Sequence, residues 1–226
     1  MEEKISDVLK KIKEDKESET SDIKLSKISE DYFKNEEGSK HIEDVLERWD
    51  IRNRQIFLGD IEDDSIAVAI NNMIRFFNDV DEDLPIEKRK PILIYIDSGG
   101  GSLTATLTIA DTILLSKTPV YTINMGCAYS GGLLVFVCGH KRYTYPSASF
   151  LFHEGSTSIG DIDAGKFRNY AGFYDTLILR IKEILLTHSN MTEEFYKEKY
   201  RDDYWFFAKE AVEKGFADEI ITSLKI

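Results

Sequence analysis

Ser130 lies in the stretch GCAYSGG, Gly126–Gly132, where an apolar run that reads as a strand gives way to one that reads as a helix. A hydroxyl at that junction, followed by Gly131 and Gly132, has two explanations. Serine is a good helix N-cap, because its oxygen accepts from the unpaired amides of the first turn. It is also a nucleophile, provided that a base takes its proton and a third group orients the base. The helix dipole at that point favours developing negative charge. Taken alone, capping is the simpler explanation, so the partner decides. The chain has four histidines. His41 lies in or beside a charged N-terminal stretch, His140 is in the polar turn CGHKR, and His188 ends a helical run, LTHSN. His153 alone ends an apolar strand, ASFLFH. The third member must be an acid, and with 41 acidic residues spacing alone does not select one.

A second group of residues bears on the same chemistry. Gly99, Gly100 and Gly101 stand together in DSGGGS. Glycines reach positive φ freely and can turn successive N–H groups toward one point, which makes an anion nest. Both Gly-rich breaks follow predicted parallel strands, and ligands of α/β sheets bind outside the carboxyl ends of such strands. One glycine would serve an ordinary turn. Three in a row, with a glycine pair after the neighbouring strand, point to a backbone that something must approach. By contrast, GDIDAGKF (160–167) matches a phosphate-binding loop only as far as GxxxxGK. Phe167 stands where a hydroxyl should hold magnesium, and the aspartates would repel phosphate, so no nucleotide is expected there. HExxH is absent and the two cysteines are not spaced for zinc, so neither metal nor cofactor is expected.

The elements that must position these residues follow from the apolar pattern. The chain has 226 residues, 42% hydrophobic and 12% aromatic, enough for one core. Residues 1–45 are densely charged and read as an appendage, partly helical or disordered, with Ile5, Val8, Leu9 and Ile12 at helical spacing. Residues 46–226 read as one α/β domain. Its predicted strands are Arg54–Leu58, Pro91–Ile96, Thr118–Asn124, KRYTY and SFLFH. The continuous apolar run PILIYI suggests a strand buried on both faces. Repeated strand–turn–helix units imply right-handed crossovers and a mostly parallel sheet with helices on its faces. A long helix is expected up to Thr187, and AKEAVEKG should close on Gly215 as its C-terminal cap. A net charge of −12 argues against a nucleic-acid partner. No apolar run is long enough to span a membrane, and the charged N-terminus does not read as a secretory signal. Cys127 and Cys138 read as buried thiols of a reducing cytoplasm.

Several blocks, in order and at nearly constant spacing, make residues 50–226 similar to the ClpP family, the proteolytic subunits of the Clp protease. They are RNRQIFLGDIEDD, ILIYIDSGGGS with IADT, GCAYS, FLFHEG and RDDYWFFAKEAVEKGFADEII. The resemblance implies a ClpP/crotonase-like fold with a protruding handle helix at about 160–187. It also implies roles. Ser130 would be the nucleophile, His153 the general base and Asp203 the orienting acid, chosen over the adjacent Asp202 by the ungapped run into AKEA. The N–H groups of Gly101 and Gly131 would form the oxyanion hole. The implied activity is that of a serine endopeptidase acting on unfolded polypeptides through an acyl-enzyme. The implied assembly is a homo-oligomer of two stacked seven-membered rings joined by the handles. An AAA+ ATPase would dock in apolar clefts lined, by position, by Tyr95, Ile123, Met125, Tyr143 and Tyr145.

The chain departs from the family pattern at four places. Gly99 replaces a common proline, Gly131 a common methionine, HEG a common HQP, and Asp97 an asparagine. These departures leave a second possibility, a weak or silent ring subunit of the same fold. A third, a crotonase-type acyl-CoA enzyme, would share the fold and the paired-glycine oxyanion hole without needing the three side chains together.

Overall fold

A computed structural model of the chain describes residues 50–155, 160 and 163–224. The chain divides after Asn53 into two units, and the architecture below belongs to the second, residues 54–226. The appendage expected over residues 1–45 lies outside the described residues, as do residues 161 and 162 of the expected handle. The strands are β1 (Gln55–Leu58), β2 (Ile92–Ser98), β3 (Val120–Tyr129), β4 (Lys141–Thr144), β5 (Ser149–Phe152), β6 (Tyr204–Phe207) and β7 (Glu219–Ile220). The helices are α1 (Asp64–Val80), α2 (Leu103–Leu115), α3 (Gly131–Val137), α4 (Ala164–Thr187), α5 (Glu193–Lys199) and α6 (Ala208–Glu213). The sheet runs β1-β2-β3-β4-β7, and every pair on that path is parallel. Strand β5 joins the far end of β3 in parallel, and β6 pairs with β5 antiparallel. The fold is therefore α/β with a mostly parallel sheet.

The core forms where the strand and helix periods coincide. Ile92, Ile94 and Ile96 alternate onto the buried face of β2 beside Ile56 and Leu58 of β1. Ile70, Ile74 and Phe77 of α1 and Ile109 and Ile113 of α2 belong to the same cluster. Each such side chain contributes roughly 1.5–3 kcal/mol relative to exposure. Asp63 caps α1 by accepting from Ser65 N–H at 2.7 Å. At its other end the buried Asp81 takes both arms of Arg54, at 2.5 and 2.7 Å. Gly215 follows α6 with φ +67°, the left-handed cap expected there.

Two expectations are corrected. Strand β2 is not buried on both faces: Leu93 and Tyr95 are half-buried and Asp97 is exposed. The helices cluster on one side of this part of the sheet, while Phe57, Tyr95, Tyr121 and Tyr143 stay partly open on the other. Apolar residues on that side made an alternating strand look continuous. Strand β3 also does not stop at Asn124. It continues to Tyr129, exchanging β4 for β5 as its partner on the way. Side chains satisfy the backbone across the exchange. Asn124 Oδ1 accepts from Gly126 N–H at 3.2 Å, Asn124 Nδ2 donates to Ser149 O at 2.9 Å, and Asp97 Oδ1 accepts from Cys127 N–H at 2.9 Å.

Candidate active site

The long β3 delivers Ser130 to the carboxyl edge of the sheet, immediately before α3. Its backbone has φ 52° and ψ −117°, and among the described residues only Arg54 is another non-glycine at positive φ. Ser130 stands at the N-cap position of α3, yet its side chain makes no capping hydrogen bond. The simpler explanation of this serine therefore fails. Ser130 N–H donates to Leu151 O at 3.0 Å, which ties the residue to β5, and its carbonyl accepts from Leu134 N–H at 3.2 Å.

Strand β5 carries His153 just beyond its end, and the antiparallel β6 begins just after Asp203. The register pairs Phe152 with Tyr204, so residues 153 and 203 come next, opposite each other. His153 Nδ1 lies 3.3 Å from Asp203 Oδ1. Asp202 instead donates its N–H to Lys199 O in the preceding turn. The other imidazole nitrogen, His153 Nε2, is buried without a hydrogen-bond partner, the one such side-chain nitrogen or oxygen among the described residues. Leaving a buried polar atom unpaired costs on the order of 1–3 kcal/mol, so such atoms call for an explanation. Ser130 and His153 line one cavity of about 360 Å³ without a hydrogen bond between them.

Gly101 and Gly131 line that cavity too. Gly101, at φ +141°, forms a parallel bridge with Ile61. The bridge uses the groups on either side of it: Ile61 N–H donates to Gly100 O at 2.7 Å and Ser102 N–H to Ile61 O at 2.6 Å. In a parallel bridge this turns the N–H of Gly101 itself to the opposite side. Gly100, at φ +91°, has no room for a side chain beside the serine: a Cβ there would lie 2.8 Å from Gly131 N and 2.9 Å from Ser130 Cβ. At Gly131 a Cβ would lie 2.5 Å from Thr106 Oγ1. The buried Thr106 thus fills the room that a larger residue at 131 would need, and its hydroxyl donates to Ser102 O at 2.8 Å.

The rest of the cavity is largely apolar. Leu133, Leu134, Ile178, Ile181 and Leu185 line it, with Tyr174 and Tyr196 beside them. Burial pushes the Tyr196 phenol up to about 12. Glu154, also on the wall, accepts from Tyr200 Oη at 2.5 Å. The thiols are not competing nucleophiles. Burial, then the Asp97 carboxylate that takes its hydrogen bond, pushes Cys127 up to about 11, and burial pushes Cys138 up to about 12. Of the other histidines, His188 ends α4, where burial and the nearby Arg142 hold its pKa below the usual value. Among the described residues, no three His, Cys, Asp or Glu side chains are grouped to hold a metal.

The proposed docking residues lie apart from this cavity. The sheet register sets Phe57, Tyr95, Ile123 and Tyr143 in one row across β1, β2, β3 and β4. Tyr95, Met125, Tyr143 and Tyr145 are half-buried. Ile123 is fully buried, so its assignment to a surface cleft is corrected: on the central strand its neighbours in the row are two tyrosines. The GDIDAGKF segment has a structural use instead. Asp163 caps α4 by accepting from the N–H groups of Gly165 and Lys166, both at 2.9 Å. Thr106 and Asp60, which contact the glycine-rich loops, were not found from sequence. Thr106 reads as an ordinary helix residue, and Asp60 is far in sequence from the loop it touches.

Fold and site together define a class, a hydrolase of mostly parallel α/β architecture in which a serine and an imidazole line one cavity and a carboxylate lies 3.3 Å from the imidazole. The chain belongs to the Clp protease family, whose model matches residues 36–224. It is 32% identical over 174 residues to the ATP-dependent Clp protease proteolytic subunit 2 of Tropheryma whipplei, covering 76% of this chain and 93% of that protein. It is 33% identical over 191 residues to proteolytic subunit 1 of Corynebacterium jeikeium, covering 84% and 97%. Against proteolytic subunit 1 of Streptomyces coelicolor the identity is 34% over 173 residues, 75% of each chain. Among the described residues no helix is long and apolar enough to cross a membrane.

Proposed function

We propose that the chain is a serine endopeptidase that cleaves unfolded polypeptides by way of an acyl-enzyme. Ser130 Oγ attacks the scissile carbonyl and passes its proton to His153 Nε2. Asp203 holds the imidazole in the productive tautomer and stabilises the imidazolium. The tetrahedral oxyanion meets the N–H groups of Gly101 and Gly131, and losing one such donor typically costs about 3–4 kcal/mol. His153 then protonates the leaving amine, and water releases the acyl group. The observation that carries this reading is the buried, unpartnered Nε2 of His153, a residue that lines the same cavity as a serine that does not cap its helix. Catalytic hydrogen bonds often tighten only when substrate binds.

The relatives are named as proteolytic subunits of an ATP-dependent protease. That name favours a ring of this chain fed by an AAA+ ATPase, with the row around Tyr95 and Tyr143 as the docking surface and the cytoplasm as the compartment. The silent-subunit reading has less support, because Gly99 and Gly131 each have a neighbour that fills or fixes the position. The test is a fluorophosphonate probe on the assembled particle, with mass spectrometry locating the adduct. Labelling of Ser130 is expected, absent in Ser130→Ala and strongly reduced in His153→Ala. An assembled particle that takes no label would return the reading to a silent subunit. Thioester hydrolysis that survives Ser130→Ala would favour the crotonase type.

A further inference from the structure

We propose that Asp60 is a positioning residue for the oxyanion loop, its carboxylate standing in for the ring that a proline at position 99 would supply. The proposal rests on the reading of Gly101 N–H as an oxyanion donor. Three consecutive glycines are the most pliable backbone a chain can have, yet an oxyanion hole works only when its donors are fixed in advance. Something outside the loop must hold it.

The segment Asp60–Ile61, just after β1, does so with three hydrogen bonds. Gly99 N–H donates to Asp60 Oδ1 at 2.6 Å, a short bond to a charged acceptor. Ile61 N–H donates to Gly100 O at 2.7 Å, and Ser102 N–H donates to Ile61 O at 2.6 Å. Within the loop, Gly100 N–H donates to Ser98 Oγ at 3.1 Å. The amides of Gly99, Gly100 and Ser102 are thereby committed, and that of Gly101 is turned to the other side.

The Gly99 contact cannot be made by proline, which has no N–H. A Cβ at position 99 would lie 3.1 Å from Asp60 Oδ1, so the carboxylate sits where a larger residue would press. Gly99 is not among the glycines at positive φ, so the position does not itself require glycine. An aspartate at 60 with glycine at 99, and a small residue at 60 with proline at 99, are therefore alternative ways to stiffen one turn. The first fixes the loop by a hydrogen bond from outside, the second by a ring within it.

The experiment uses the full chain as the assembled particle, its mass checked for each variant. It measures the rate of Ser130 phosphonylation and steady-state cleavage of a short peptide ester. Asp60→Ala should slow both by about tenfold to hundredfold, in kcat rather than KM, because a donor is misplaced while the substrate cleft is untouched. Asp60→Asn should stay within about threefold of the parent, since its amide oxygen still accepts. The double variant Asp60→Ala/Gly99→Pro should recover most of the loss, which a merely structural aspartate would not permit. Hydrogen exchange at the Gly99 amide reads the clamp without reference to activity: protected in the parent, and about tenfold or more faster in Asp60→Ala. Asp60→Ala that keeps the parent's rate, or an unprotected Gly99 amide in the parent, overturns the proposal. A parent chain that takes no label but protects Gly99 overturns the hydrolase reading and leaves the clamp standing.

Discussion

Ser130 holds its hydroxyl on a backbone that serine seldom adopts, with φ 52° and ψ −117°. Such conformations cost of order 1–3 kcal/mol and persist only where the surroundings over-determine them. Here the surroundings are a hydrogen bond to Leu151 on one side, one from Leu134 on the other, and Gly100, where a Cβ would lie 2.9 Å from Ser130 Cβ. The strain lies in the Cβ and not in the hydroxyl, which makes it separable from the chemistry. Ser130→Ala removes the nucleophile and keeps the strain. Ser130→Gly removes both. At one protein concentration, Ser130→Gly should unfold at a higher temperature than Ser130→Ala, by an amount corresponding to about 1 kcal/mol. Neither variant should take the phosphonate. Equal melting temperatures would mean that the positive φ is not strained, and that nothing in the fold is being spent to expose the hydroxyl.

At the scale of elements, the site depends on two junctions. The β5–β6 register sets His153 against Asp203, and α2 sets Thr106 against Gly131. The second gives a sharp prediction. A methyl group at 131 would meet Thr106 Oγ1 at 2.5 Å, closer than real contacts allow. Gly131→Ala should therefore lower the melting temperature and slow labelling, and adding Thr106→Ala should recover part of both. The coupling between the two sites should be about 1 kcal/mol or more, since they touch. Additive effects would show that Thr106 moves aside freely. These junctions also mark how far the sequence could be read. Helix α1, β1, β4, β5 and α4 were legible because their apolar period is regular and their ends carry caps such as Asp63 and Asp163. The course of β3 past Asn124 was not, because its ladder there is completed by the side chains of Asn124 and Asp97, which read as turn residues. His153 stood out as the one histidine ending an apolar strand. Asp203 needed the resemblance, because a cross-strand register is a property of two segments and not of either alone. Thr106 and Asp60 left no local signal, since each matters only through a glycine distant in sequence.

For the whole molecule, the decisive element is α4. Its 24 residues bury only Ile184 and Leu185, near the last turn, while Phe167, Phe173 and Leu179 are more than half exposed. A helix that presents large aromatic side chains to water gains little from its own chain, and such surfaces mark contacts with another protein. On the ring assembly proposed above, that protein is a second copy of this chain. Yet Tyr174, Ile178, Ile181 and Leu185 of the same helix line the cavity that holds Ser130 and His153. If the outer face of α4 is the proposed interface, one helix serves both assembly and cavity, so the state of assembly should be felt at the site. Replacing both Phe167 and Phe173 by serine removes apolar area from the outer face and touches neither the serine nor the imidazole. The particle should fall to a smaller mass by light scattering. The rate of Ser130 phosphonylation should fall with it, because the cavity wall is no longer held in place. Added salt should oppose the dissociation in part, since chains of net charge −12 repel one another and screening weakens that repulsion. A smaller particle that takes the phosphonate at the parent's rate would break the link between assembly and chemistry. An unchanged mass would remove α4 from the interface altogether.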